Sequence, residues 1–169
     1  MSLTMRKMLH NLGALTDLGA EISSTHNFED VTRTSLHTLL GTLAIPKGAI
    51  AQFSARPRQL KIIAAKGIPA AVGEKIALGR DEVKRLVART RPLDMCGEQN
   101  GLAQFVSRNG DIFKRLRAHT AVPMVVHGEL EGMIFLSEKF TREEFSEEDR
   151  EIISTISRNI AIAFYNHRL

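Results

Sequence analysis

The chain has 169 residues, one cysteine, no tryptophan and a formal charge of +4, from 23 Lys and Arg against 19 Asp and Glu. That length suits one domain, which at this size buries roughly 70% of the surface of its unfolded chain; no disulfide framework is available, and a lone Cys96 fits a reducing, cytoplasmic setting. The basic surplus is interleaved with acids, the single Tyr lies away from any basic cluster, and no apolar run nears the roughly 20 residues of a membrane helix, so nucleic-acid and membrane partners are not expected.

Met1-Ser2-Leu3 fits a cloning scar, which leaves residues 4–169 as one domain cut from a longer protein. From Met5 onward Met8, Leu12, Leu15, Gly19 and Ile22 recur at steps of three and four, the seam of a helix that packs on another helix. A second helix is expected from Asn27, as N-cap, through the apolar stripe Leu36, Leu39, Leu40 and Leu43 to a stop at Pro46. "GAIAQFS" (48–54) and "QLKIIAAK" (59–66) then read as two strands of a hairpin across "ARPR".

"RDEVKRLVART" (80–90) carries Val83, Leu86 and Val87 on one helical face, and "RPLDM" reads as a short edge strand because Pro92 removes a ladder donor. The stretch from Cys96 to His119 is the least regular, with a helical turn or two suggested only by Ile112, Phe113 and Leu116. "VPMVVHGELEGMIFLSEK" (122–139) is a hairpin apolar on both faces, so both faces of its strands must be covered. The final helix opens on the S-x-x-D box of Ser146 and Asp149, with Ile152, Ile153, Ile156, Ile160, Ala163 and Phe164 on one side. Thr155, Ile162 and Leu169 recur every seven residues on another side. Two helices, a mostly antiparallel sheet interrupted by short helices, and a closing helix make an α+β fold.

Chemistry-bearing patterns are sparse. The six histidines include no H-x-H or H-x-x-x-H pair to hold zinc, and there is no Gly-rich phosphate loop, G-x-S-x-G elbow or paired-carboxylate arrangement, so no catalytic or metal-binding residues are assigned.

"LTDLGAEISSTHNFEDV", "AAKGIP", "RPLDM", "AVPMVVHGELEGMIFLSEKF" and "FSEEDREIISTISRNIAIAF" follow, in order and at similar spacing, the pattern of bacterial GAF domains, and together they span nearly the whole chain. The resemblance implies a central antiparallel sheet of five or six strands. The N- and C-terminal helices would lie on one face, and short helices and loops would enclose a small-molecule pocket on the other. Lys139, Phe145 and Asp149 resemble three members of the N-K-F-D-E signature of cyclic-nucleotide-binding relatives, but Glu138 and Arg150 depart from it. A structural Lys139–Asp149 ion pair is the favoured reading.

Light-sensing relatives tether a bilin through a cysteine usually followed by histidine; here Gly97 follows Cys96, so no bilin is expected and Cys96 reads as a small buried residue. Sulfoxide reductases of this fold use several cysteines and are disfavoured, as is haem, for which His119 would be the one residue to test. Arg80, Asp81, Glu82 and Lys84 read as a solvated helix face, with Arg85 or Arg89 holding an anionic ligand as the lesser alternative. The long, mixed "LDMCGEQNGLAQF" segment suggests a ligand near Asp94, Cys96, Phe105, Phe113 and His119, opposite the terminal helices.

The expected function is a non-catalytic sensory and regulatory module whose terminal helices pass a signal to the output domain of a larger signalling protein; a ligand-free structural dimerisation domain is the alternative. A parallel homodimer is expected through Met8, Leu12, Leu15 and Ile22 of the first helix and Ile162 of the last.

Overall fold

The computed structural model describes residues 25–169 except Thr90 and Glu98. The expected first helix, with Met8, Leu12, Leu15 and Ile22, lies outside the described residues, as does the 1–3 segment. Helix α1 (Thr25–Leu43) already contains Asn27, so the expected N-cap there is corrected: the helix starts earlier. It ends three residues before Pro46, where Ala44 turns left-handed at φ 56° and the Ile45 N–H donates to the Leu40 carbonyl at 2.9 Å. That back-bond satisfies a carbonyl the helix end would otherwise leave open.

Six strands follow: β1 (Gly48–Ala55), β2 (Arg58–Lys66), β3 (Lys75–Ala77), β4 (Leu93–Asp94), β5 (Thr120–Val126) and β6 (Glu129–Leu136). They form one antiparallel sheet in the order β3-β2-β1-β6-β5-β4. The apolar hairpin is β5–β6, and β6 is central, buried from Leu130 to Leu136. His127 and Gly128 both have positive φ (50° and 74°), the backbone a two-residue hairpin turn demands. β4 pairs only with Thr120 and Ala121, so it is the short edge strand that Pro92 suggested.

Two cores flank the sheet. On one face α1 and the last helix, α5 (Glu147–Arg168), bury Leu36, Leu40, Ile50, Ile134, Ile156 and Phe164. Gly132 permits this closeness, since a Cβ there would meet the Ala51 carbonyl at 2.2 Å and the Phe164 ring at 3.2 Å. On the other face lie α2 (Arg80–Ala88), α3 (Ala103–Arg108) and α4 (Gly110–Leu116). The segment expected to be irregular is thus largely helical: Leu102, Phe105, Ile112, Phe113 and Leu116 supply enough buried apolar surface to hold two short helices on the sheet.

Polar groups fasten those helices to the β3 edge. Asn109, between α3 and α4, accepts the Ala77 N–H on Oδ1 and donates Nδ2 to the Ala77 carbonyl, both at 3.0 Å, so its amide stands in for a neighbouring strand. Arg108 puts both Nη atoms on the Glu82 carboxylate at 2.9 Å. Glu82 is therefore buried, unlike the solvated face expected for its helix; a second bond, from the Gly79 N–H, caps α2.

Candidate functional site

The residues singled out for ligand contact do not share one surroundings. Phe105 and Phe113 are buried, with ring centroids 5.5 Å apart, and Phe113 lies 5.2 Å from Phe135 of the central strand. Their rings are spent on each other and on the sheet. Asp94 closes β4 with its Oδ1 accepting the N–H groups of Cys96 and Gly97 at 2.9 and 3.1 Å. A Cβ at Gly97 would sit 2.5 Å from Asp94 Oδ2, so a larger residue there would displace the Asp94 carboxylate.

Cys96 is exposed, which corrects its reading as a small buried residue: the Asp94 turn aims it outward. Partial desolvation, then the carboxylates of Asp94 and Glu138, push its thiol above the ordinary value, which keeps it protonated and a poor nucleophile. His119 is a strand-end residue whose backbone N–H donates to Leu136 at 2.8 Å and whose carbonyl accepts from Met95 at 2.9 Å. Its Nδ1 lies 3.5 Å from Glu138 Oε1.

Asp94 and His119 meet again in an open groove of about 1040 Å³ on the terminal-helix side of the sheet's β4–β5 edge. Three parts of the fold line it. The sheet edge contributes Leu93, Asp94, Thr120 and Val122; the loop between β6 and α5 contributes Glu138, Lys139, Arg142 and Phe145; and α5 contributes Arg150, Ile153, Ser154 and Ser157. Val122, Phe145 and Ile153 give it an apolar floor continuous with the core. Around them stand charges of both signs, and the guanidiniums of Arg142 and Arg150 make no side-chain hydrogen bond or ion pair among the described residues. A concave, partly apolar surface with a few convergent polar groups suits a small polar molecule.

Lys139 is ion-paired within this groove. Its Nζ lies 3.0 Å from Asp149 Oδ2, with the two side chains 16% and 14% exposed. Burial alone would raise the Asp149 carboxyl, but the Ser146 N–H and the Lys139 ammonium outweigh it and hold the group below the usual carboxylate range. Ser146 Oγ in turn accepts the Asp149 N–H at 3.1 Å, completing the capping box that the S-x-x-D spacing announced.

Of the two arginines considered for an anion, Arg89 donates to the carbonyls of Arg91 and Pro92, both at 3.2 Å, and lines the groove rim. Arg85 lies against the Gly101 turn, where a Cβ would fall 2.6 Å from its guanidinium carbon. Sequence reasoning missed the far end of α5, where Arg168 reaches back to Glu131 at 2.8 and 3.1 Å and to Glu129 at 3.1 Å. A signal was present: Glu131 interrupts an otherwise apolar strand, and a buried carboxylate requires a cation. Among the described residues no group of three His, Cys, Asp or Glu side chains gathers as metal ligands, and no helix is long and apolar enough to cross a membrane.

No curated protein matches this sequence. Solved structures do. The GAF domain of a phosphoenolpyruvate-protein phosphotransferase from Coxiella burnetii superposes with a TM-score of 0.68 at 17% identity, over 97% of this chain and 94% of that one. The corresponding Acinetobacter domain gives 0.66 at 15% identity, over 98% and 95%. The phycoerythrobilin-bound GAF domain of a cyanobacterial phytochrome gives 0.67 at 15% identity, over 99% and 98%. At such identities these likenesses establish the fold. The sequence model of the GAF domain matches residues 27–164, most of the chain and all six strands. The protein belongs to the GAF domain family, a class of sensory and regulatory modules that bind small ligands in signalling proteins.

Proposed function

We propose that this domain is a non-catalytic bacterial sensor in which a small polar molecule occupies the β4–β5 edge groove and biases the packing of α5. The terminal helices then carry the change to an output domain of histidine-kinase, methyl-accepting chemotaxis, cyclic-dinucleotide or transcriptional type, in the cytoplasm. One observation carries the reading: the groove is shared between the sheet edge and α5, so a molecule that fills it presses on the helix directly. That a phytochrome domain of this fold holds phycoerythrobilin supports small-molecule binding in general. It does not make this chain a bilin protein, since Gly97 follows Cys96 and the thiol is raised. A homodimer belongs to the same proposal: Ile162 on α5 and Leu169 just past its end, seven residues apart, are 41% and 80% exposed and offer a seam to a second copy.

A second reading, a structural dimerisation domain without a ligand, draws on the phenylalanine ladder Phe105–Phe113–Phe135 that fills the opposite face. Native mass spectrometry of protein purified from its own host separates the two. The sensor reading expects one small-molecule adduct that Ser154→Trp, a change on the exposed groove side of α5, removes. An adduct-free parent favours the structural reading.

A further inference from the structure

Helix α5 is tied to β6 at two points. Near its start Asp149 holds Lys139, three residues beyond the end of β6; at its other end Arg168 holds Glu131, near the beginning of the same strand. The spans agree. Nineteen residues of helix from Asp149 to Arg168 rise about 28 Å, and eight residues of extended chain from Glu131 to Lys139 cover about 27 Å. The helix therefore runs back along the strand and is tied to it near both ends.

The two ties are unequal. Glu131 has a side chain 3% exposed, takes the Arg168 fork on both oxygens, and has no other side-chain partner among the described residues. Releasing Arg168 would strand a buried charge, which is strongly unfavourable. Glu129 is a second acceptor for the same guanidinium, and next to it His167 stacks on Phe28 of α1 with centroids 4.0 Å apart and planes 1° from parallel. The Lys139 tie is a single contact, Lys139 is one of the residues lining the groove, and Asp149 would keep the Ser146 N–H and the helix N-terminus if the lysine left.

We propose that α5 is a lever pivoting on the Arg168–Glu131 pair, with Lys139–Asp149 as the latch that opens when a groove-bound group takes the lysine ammonium. The assignment of ligand to groove is that of the proposed function; the mechanical asymmetry is tested without any ligand. Lys139→Met mimics the open latch, and Glu131→Gln combined with Arg168→Met removes the pivot without leaving a buried charge.

Hydrogen exchange by mass spectrometry on the full chain reads both ends of the helix. Opening the latch lowers protection about tenfold in residues 147–157 and leaves residues 160–168 as in the parent. Removing the pivot lowers protection in residues 160–168. Equal loosening along the whole helix in Lys139→Met, unchanged protection of 147–157 in that variant, or unchanged protection of 160–168 in the double variant each overturns the lever. A missing ligand leaves these exchange patterns untouched, so failure of the groove reading and failure of the lever are separable.

Discussion

Lys139 and Asp149 join the end of the central strand to the first turn of the last helix: Lys139 Nζ and the Ser146 N–H each lie 3.0 Å from the same carboxylate oxygen, Asp149 Oδ2. One acid thus serves as cap and as ion-pair partner. Asp149→Ala loses both roles and lowers stability by about 1–2 kcal/mol, the range of a lost helix cap. Lys139→Met loses only the pair and leaves Asp149 the Ser146 N–H and the helix N-terminus, so it costs less. Urea midpoints with unchanged slope check the order.

Acid weakens the fold through two carboxyls. Asp149 is held low despite its burial by Ser146 and Lys139, and Glu82 is held low chiefly by the Arg108 fork. A carboxyl depressed in the folded state binds fewer protons there than in the unfolded chain. Its contribution is therefore fully present above the unfolded value and fades as pH falls through the folded one. Urea unfolding from pH 7 down to pH 3 shows stability dropping below the ordinary carboxylate range. The drop is shallower in the Glu82→Gln, Asp149→Asn double variant.

Phe105, on α3, is fully buried. Phe105→Ala consequently costs about 3–5 kcal/mol as a core truncation. Thermal unfolding checks it: a variant with the parent's melting temperature but altered small-molecule binding would make Phe105 a ligand contact instead.

What the sequence made legible was local. The S-x-x-D box at Ser146 announces its helix because cap and acid sit within one turn, and the positive-φ pair His127-Gly128 sits between two apolar runs. Strand β3 escaped notice because three residues carry no period, and what defines its edge is Asn109, 32 positions away. The helical character of 103–116 was hidden for the same reason: short helices there depend on burial of Phe105 and Phe113 against Phe135, a tertiary contact. The groove draws on four stretches distant in sequence, so Asp94, His119 and Lys139 stood out one at a time and no local pattern singled out Arg142, Ser154 or Ser157.

Dimerisation is expected to depend on the exposed side of α5. The expected outcome is a parent chain that scatters light as a dimer at micromolar concentration, with Ile162→Glu and Leu12→Glu as folded monomers. Ile162 is 41% exposed, so Ile162→Glu leaves the melting temperature of the monomer within about 2 °C, as a surface substitution should. Dimeric variants would assign the interface elsewhere.

Isoleucine methyl NMR reads whether a small molecule acts from the β4–β5 edge groove. Ile153 lines the groove, while Ile76 and Ile112 lie in the core of the opposite face. On addition of the deproteinised small-molecule extract of the host, the Ile153 methyl is expected to shift with Ile76 and Ile112 unmoved. Shifts confined to Ile76 and Ile112, or none at any of the three, would contradict it.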